Sequence, residues 1–410
     1  MKVQERNFTY VTVSDKAKKS IDRGHPWVYA DEIKEVSGIY SNGSLVDVRS
    51  LKGSYLGTGF INDSSKIRVR IISRNANDKF DRDFWTRRVR YALEYRKTVM
   101  GEDFHSCRLI FGEADCFPGL TVDLFEDVLS VEVLSLGIEL IKDMLFDILI
   151  EVLSGFGVKV RVIYERNEAS VRTLEGMETG KGFYSHDGLE TNTNGHVMIT
   201  ENGIKYDVDY INGQKTGFFL DQKYNRLAAA KIAKGKRVLD CFTHTGAFAL
   251  NCAKAGAQSV CAVDISKQAI ELTRENARLN GLENNMSFLC ADVFELLTGL
   301  YESKSREYDY IILDPPAFTK SRATVHAAQK GYREINMKAM KLLPRGGYLA
   351  TCSCSHFMTD ELFVKMLHSA ASDAFVNLRQ IEARQQSPDH PILWNVPETD
   401  YLKFYIFQIV

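Results

Sequence analysis

The sequence predicts an α/β protein in three parts: a small mixed β-barrel, a middle α+β module, and an open, largely parallel sheet with helices on both faces. Three observations carry this. Short, glycine-punctuated, strand-like segments crowd the first 75 residues. Strand-like and helix-like stretches alternate from residue 237 towards the end. At the start of the second region stands KRVLDCFTHTGAFAL at 236–250, which reads as strand, tight loop and helix N-terminus.

That stretch is the unit that holds a polar ligand over the carboxyl edge of a parallel sheet. Its loop is not G-x-G-x-x-G, so a pyrophosphate cradle fits poorly. Asp240 at the strand end repels phosphate and accepts hydrogen bonds from an ammonium or hydroxyl group. The implied ligand is a small zwitterion joined to a nucleoside.

At 410 residues the chain is long enough for two or three domains. Net charge is only -1, but residues 1–100 hold 20 Lys plus Arg against 12 Asp plus Glu. A basic end module of this kind can steer a polyanion or be simply a solvated basic surface. None of the eight cysteines forms a C-x-x-C pair, and the nine histidines are scattered. Neither a disulfide scaffold nor a metal site is therefore expected, and the cytoplasm is the natural compartment. Lys2, Glu5 and Arg6 precede no long apolar core, so no signal peptide is expected. The most apolar stretch, 138–153, is interrupted by charges and predicts an amphipathic helix, not a membrane span.

In chain order, the first module (1–75) contains a helix at 16–22 and strands near 44–49, 55–60 and 68–72. Arg68 and Arg70 alternate with Val69 and Ile71, which predicts one wet basic face. Trp27 suits a stacked base or a core position. The middle module (76–190) opens with a basic helix from 85 to 100. A strand at 128–134, a helix at 138–153 and a strand at 158–164 follow, with Glu165, Arg166, Asn167 and Arg172 facing a ligand cleft or forming an ion network. The third module (191–410) starts with a hairpin turning at Asn202-Gly203 and closes with a strand at 404–410, expected to be antiparallel.

Three acids end three successive strands. Asp240 is followed by Asp264, suited to ribose hydroxyls, and by Asp292, suited to an adenine amino group with Val293 or Phe294 against the ring. Helix N-termini also favour Asp, which is the alternative use of each. The fourth strand ends in Asp314-Pro315-Pro316-Ala317-Phe318, where paired prolines stiffen a turn that can hold Asp314 beside an extruded base. The fifth ends in Thr351-Cys352-Ser353-Cys354-Ser355. A thiolate at a sheet edge can add to cytosine carbon 6 and make carbon 5 nucleophilic, with a carboxyl group assisting at N3. The pattern does not choose between the two cysteines.

The segments GQKTGFFLDQ, LDCFTHTGAFAL, ILDPPAF, TCSCS and DHPILWNVPETDYLK together resemble S-adenosylmethionine-dependent large-subunit ribosomal RNA cytosine-5 methyltransferases, over nearly the whole chain. The resemblance implies an N-terminal PUA domain, a middle α+β domain and a C-terminal Rossmann-like class I methyltransferase domain. It implies S-adenosylmethionine as cofactor. Asp240, Phe242, Thr243, His244, Thr245 and Gly246 would meet its methionine portion, Asp264 and Ser266 the ribose, and Asp292, Val293 and Phe294 the adenine end. Phe219, Asp221 and Gln222 would close the site, with Asp314 and Pro315 at its edge. Asp314 would orient or activate cytosine. Counting from Gly347 as in related enzymes places the nucleophile at Cys354, with Cys352 as second choice. As partners it implies 23S ribosomal RNA or a large-subunit assembly intermediate and allows a homodimer. Ala317 departs from enzymes with a product-releasing cysteine after the prolines, leaving water or a polar side chain such as His356 to take the carbon-5 proton. The competing readings are methylation of another base atom and a noncatalytic RNA-binding assembly protein.

Overall fold

Val238 and Leu239 alternate between two apolar cores, as residues of a strand buried on both faces must. The same split recurs along the neighbouring strands and explains why they read as nearly continuous apolar runs. The computed structural model describes residues 8–319 and 321–410; Lys2, Glu5 and Arg6 lie outside the described residues. Two compact units are present. One holds the chain up to Ile199 with Val208–Leu220 and Pro388–Thr399; the other holds Thr200–Asp207, Asp221–Ser387 and Asp400–Val410.

In the second unit we label the sheet strands β1 (Arg237–Cys241), β2 (Ser259–Asp264), β3 (Met286–Cys290), β4 (Tyr310–Leu313), β5 (Tyr348–Ser353), β6 (Leu378–Arg384) and β7 (Lys403–Ile409). Their order is β3-β2-β1-β4-β5-β7-β6. The first five are parallel, and β7 runs antiparallel to both β5 and β6. The order reverses at β1, so the carboxyl ends of β1 and β4 flank the crevice where such sheets take ligands. One core lies between the sheet and the helices Val325–Leu342 and Asp360–Ala374, with Tyr332, Ile335 and Phe363 at its centre. The other is closed by the helices Lys223–Ala230 and Ala247–Lys254.

β6 is not foreshadowed by any sequence pattern. LRQIEAR is a largely exposed edge strand with no apolar run to mark it. The hairpin His196–Glu201 and Ile204–Asp209 turns at Asn202 (φ 54°) and Gly203 (φ 74°), the two left-handed residues of a type I′ turn.

The first unit contains two sheets. Six strands, Trp27–Tyr29, Ile67–Ser73, Tyr55–Ile61, Leu45–Ser50, Tyr10–Val13 and Ile33–Ser37 in spatial order, form a mixed sheet around Val11, Val46, Val48 and Val69. Arg70 does not lie on a wet face: it is buried, with Nη2 2.7 Å from Glu175 Oε1 and Nη1 3.5 Å from Glu113 Oε1. Trp27 donates from Nε1 to Glu113 Oε1 (3.0 Å).

Five strands, from Ser106–Phe111 to Gly180–Phe183, form the second sheet. The helix expected over 138–153 is split into Leu136–Glu139 and Lys142–Gly155, with Ile141 at φ −118°, ψ 8°. No Gly or Pro marks that break. The strand expected at 158–164 is Val162–Asn167. Its polar residues form an ion network: Lys142 Nζ lies 2.9 Å from Glu165 Oε2, and Arg172 Nη1 lies 3.0 Å from Glu139 Oε2.

Candidate active site

The loop after β1 is held in an unusual backbone conformation. Phe242 (φ 65°), His244 (φ 52°) and Gly246 (φ 81°) all adopt positive φ, within five residues. Left-handed conformations at non-glycine residues cost roughly 1–2 kcal/mol each and persist where surrounding bonds hold them. Here the bonds come from behind the loop. Thr273 Oγ1 donates to His244 O (2.9 Å), Asn276 Nδ2 to Thr245 O (3.1 Å), and the His244 amide donates to Asp264 Oδ2 (3.0 Å). A Cβ on Gly246 would lie 2.5 Å from Thr273 Cγ2, so the close approach of loop and helix requires glycine.

Asp240 is fully buried at the end of β1. Oδ2 accepts hydrogen bonds from Thr243 Oγ1 (2.6 Å) and the Ala249 amide (3.0 Å), while Oδ1 has no partner. Burial, with Asp314 and Asp264 nearby, pushes its pKa up to about 7. Asp264 has each oxygen on one backbone amide, Oδ2 on His244 and Oδ1 on Ser266 (3.0 Å), which orients it and leaves lone pairs free. Ser266 spends its hydroxyl on capping Lys267–Leu279. Asp292 caps Val293–Glu302, with Oδ1 accepting from the amides of Phe294 and Glu295. Val293 is buried, and Phe294 packs 5.8 Å from the Phe318 ring.

Asp314 follows β4 beside the buried Pro315. Its Oδ1 accepts from Gln222 Nε2 (3.1 Å) and Cys352 Sγ (3.0 Å). Burial raises its pKa, the bond from Cys352 works against that, and Asp221 adds to it. Gln222 is fixed by Asn225 (Nδ2 to Oε1, 2.7 Å), and Asp221 Oδ2 accepts from Tyr401 Oη (2.6 Å). Phe219 belongs to the first unit, where Lys215 Nζ lies 4.5 Å over its ring.

The two cysteines differ sharply. Cys352 is fully buried in β5 and donates to Asp314 Oδ1 and to Leu313 O (3.3 Å); burial first, then Asp314, pushes its thiol pKa well up. Cys354 lies beyond the strand end, is partly exposed, and falls in the field of Lys403. Sequence reasoning assigned Lys403 no role. A lone lysine opening the apolar strand KFYIFQI was the available signal. His356, weighed as a proton acceptor, has a buried Nδ1 without a partner and packs edge-on against Phe357.

The orphaned Asp240 oxygen and a cluster of mutually repelling carboxylates suit a ligand carrying positive charge, as a sulfonium amino acid does. A family model described as S-adenosylmethionine-dependent methyltransferase matches residues 179–403, more than half of the chain. The chain belongs to the S-adenosylmethionine-dependent methyltransferases. A PUA-like domain model matches residues 11–74 of this methyltransferase. The enzyme is 40% identical to the ribosomal RNA large subunit methyltransferase I of Aeromonas hydrophila subsp. hydrophila, over 94% of this chain and 96% of the relative. Its counterpart in Shewanella denitrificans is 39% identical, over 96% and 97%. A solved SAM-dependent methyltransferase of Streptococcus mutans shares the fold at TM-score 0.81 and 22% identity, covering 97% of this chain and 99% of that one. A solved methyltransferase complexed with SAH superposes equally well. The cofactor of this methyltransferase is S-adenosylmethionine, and its fold is the Rossmann-like class I type with an N-terminal PUA-like region.

Proposed function

We propose that this methyltransferase methylates carbon 5 of a cytidine in 23S ribosomal RNA, free or in a large-subunit assembly intermediate, with Cys354 as nucleophile. The substrate class rests on the two large-subunit relatives, each aligned over nearly its full length. The observation that carries the chemistry is a partly open thiol in the field of a buried lysine, at the same sheet edge as a carboxyl group with raised pKa. Exposure admits a base, and a cation favours the thiolate.

Bound S-adenosylmethionine supplies an electrophilic methyl group. Asp240 Oδ1 would accept from its ammonium, Asp264 would accept from the ribose, and the oxygen of Asp292 left free by capping would face the adenine end. Cys354 Sγ adds to cytosine carbon 6 as the Asp314 carboxyl group donates a hydrogen bond to N3, which makes carbon 5 nucleophilic. After methyl transfer, water or a polar side chain such as His356 takes the carbon-5 proton, which re-forms the 5,6 double bond and expels the thiolate. The basic helix Arg82–Met100 and the PUA-like region give the RNA a platform in the first unit.

Cys352 as nucleophile is the second reading, favoured by its hydrogen bond to Asp314, an adjacent proton acceptor. The test is nucleoside mass spectrometry after incubation with labelled S-adenosylmethionine and unmodified large-subunit or small-subunit RNA. Labelled 5-methylcytidine in the large-subunit RNA alone is expected. Label on a purine, or in the small-subunit RNA alone, refutes the proposal. The same assay on Cys354→Ala and Cys352→Ala decides between the cysteines.

A further inference from the structure

Lys403 begins β7 opposite Ser353 of β5 in the antiparallel ladder, so the two side chains leave the same face of the sheet. The lysine is buried, and Nζ donates to Ser355 O (2.7 Å) and Tyr401 O (2.8 Å). A side chain rooted opposite Ser353 and bonded to Ser355 is laid along Cys354, the residue between them. Both partners of Nζ are main-chain carbonyls, which orient an ammonium without neutralising it. A buried charge held this way needs an anion. The ionisable groups whose fields reach it are Asp400, Cys354 and Asp360. Asp360 is already engaged by Tyr405 Oη (2.6 Å); Asp400, whose field on the lysine is the largest of the three, has Oδ2 on Gln385 Nε2 (3.1 Å) and a buried Oδ1 without a partner, so it shares the ammonium's field with Cys354. Tyr332, bonded to Ser353 Oγ (3.0 Å), also feels Cys354, but its own pKa is pushed up by burial and it stays a neutral phenol.

We infer that Lys403 is a positioning residue that holds Cys354 as the attacking thiolate. The Sγ–H bond breaks, its proton leaves to water on the partly exposed side of Cys354, and the resident ammonium stabilises the sulfur anion that remains. This inference rests on the reading of Cys354 as nucleophile. Burial lowers the lysine pKa to about 8, which still leaves it mostly an ammonium at pH 7. The arrangement also separates the two cysteines: burial and the Asp314 carboxyl group oppose ionisation of Cys352, whereas Cys354 lies in the field of an ammonium.

The test measures alkylation of Cys354 by iodoacetamide against pH, read by peptide mass spectrometry on the full chain. An opposite charge at this range is worth one or more pKa units. Lys403→Met should therefore slow alkylation of Cys354 at pH 7 by roughly tenfold and move its profile to higher pH. Lys403→Arg should restore most of the rate. A Met variant with the parent's profile overturns the inference. If that variant does not fold, the Arg variant decides: rapid alkylation at pH 7 supports the pair, and the rate of an ordinary exposed thiol overturns it. Methyl transfer by Cys354→Ser is measured separately. Turnover in that variant overturns the nucleophile reading, even where the alkylation profile still shows the charge pair.

Discussion

Replacing Asp240 with Asn should make the cofactor-free protein more stable at pH 8 and bind cofactor less well. The two effects have one cause. In the folded chain the carboxyl group keeps its proton up to about pH 7, whereas its ordinary pKa is 3.8. Between these values the folded state binds a proton that the unfolded state has released, so stability falls as pH rises through this window and stays low above it. A shift of about three units corresponds to about 4 kcal/mol at pH 8. Asn is neutral throughout and can keep its amide oxygen on Thr243 Oγ1 and the Ala249 amide, the bonds that Oδ2 accepts. The variant should therefore gain up to that amount at pH 8, with the difference vanishing near pH 4. Cofactor binding should move the other way. Losing a charge-assisted hydrogen bond to the ammonium costs about 1.5–3 kcal/mol, roughly a 10- to 150-fold loss of affinity. Urea denaturation at pH 4 and pH 8 and calorimetric titration with S-adenosylhomocysteine read the two quantities. A variant that is less stable at pH 8 and binds with the parent's affinity refutes the reasoning, because Asp240 would then be a structural cap.

Cys354→Ala should abolish methyl transfer with S-adenosylhomocysteine affinity unchanged. Cys352→Ala should retain turnover but lose about 1 kcal/mol of stability in denaturant, since a fully buried thiol leaves a small void. Asp314→Asn should lower turnover by roughly 100-fold or more while changing cofactor affinity little. Equal losses in both would remove its base-facing role. Gly246→Ala should cost about 1–3 kcal/mol in chemical denaturation, because φ is +81° and the new Cβ meets Thr273 Cγ2 at 2.5 Å. Undiminished stability would show that the loop relaxes freely.

The parallel sheet was legible because strands buried on both faces must be apolar along their length, and because an acid lies at or just past the carboxyl ends of β1, β2, β3 and β4. Asp240, Asp264 and Asp314 were found this way. Asp292 shows the limit of the signal: a helix cap and a ligand-binding acid look alike in sequence, and the observed bonds to Phe294 and Glu295 are those of a cap. Elements stabilised by neighbours were harder to see. β6 is a polar edge strand held by β7, and the break between Glu139 and Lys142 lacks any residue that breaks helices on its own. Arg70 misled because alternation predicts a side chain's face but not whether carboxylates such as Glu175 will cover it.

The choice between the cysteines is of this second kind. Two residues apart, Cys352 and Cys354 would share a face in a continuing strand, but β5 ends at Ser353 and they part there. Cys352 stays inside the sheet, hydrogen-bonded to a carboxyl group and a main-chain carbonyl, where ionisation would set one anion against another. Cys354 passes the edge into partial exposure and the field of a buried lysine carried by a strand 50 residues later. No local pattern links these residues, because antiparallel insertion of β7 next to β5 brings them together. Cys354, the proposed nucleophile, and Lys403 depend on β5 and β7, so perturbing the β5–β7 ladder should damage turnover before it damages cofactor binding.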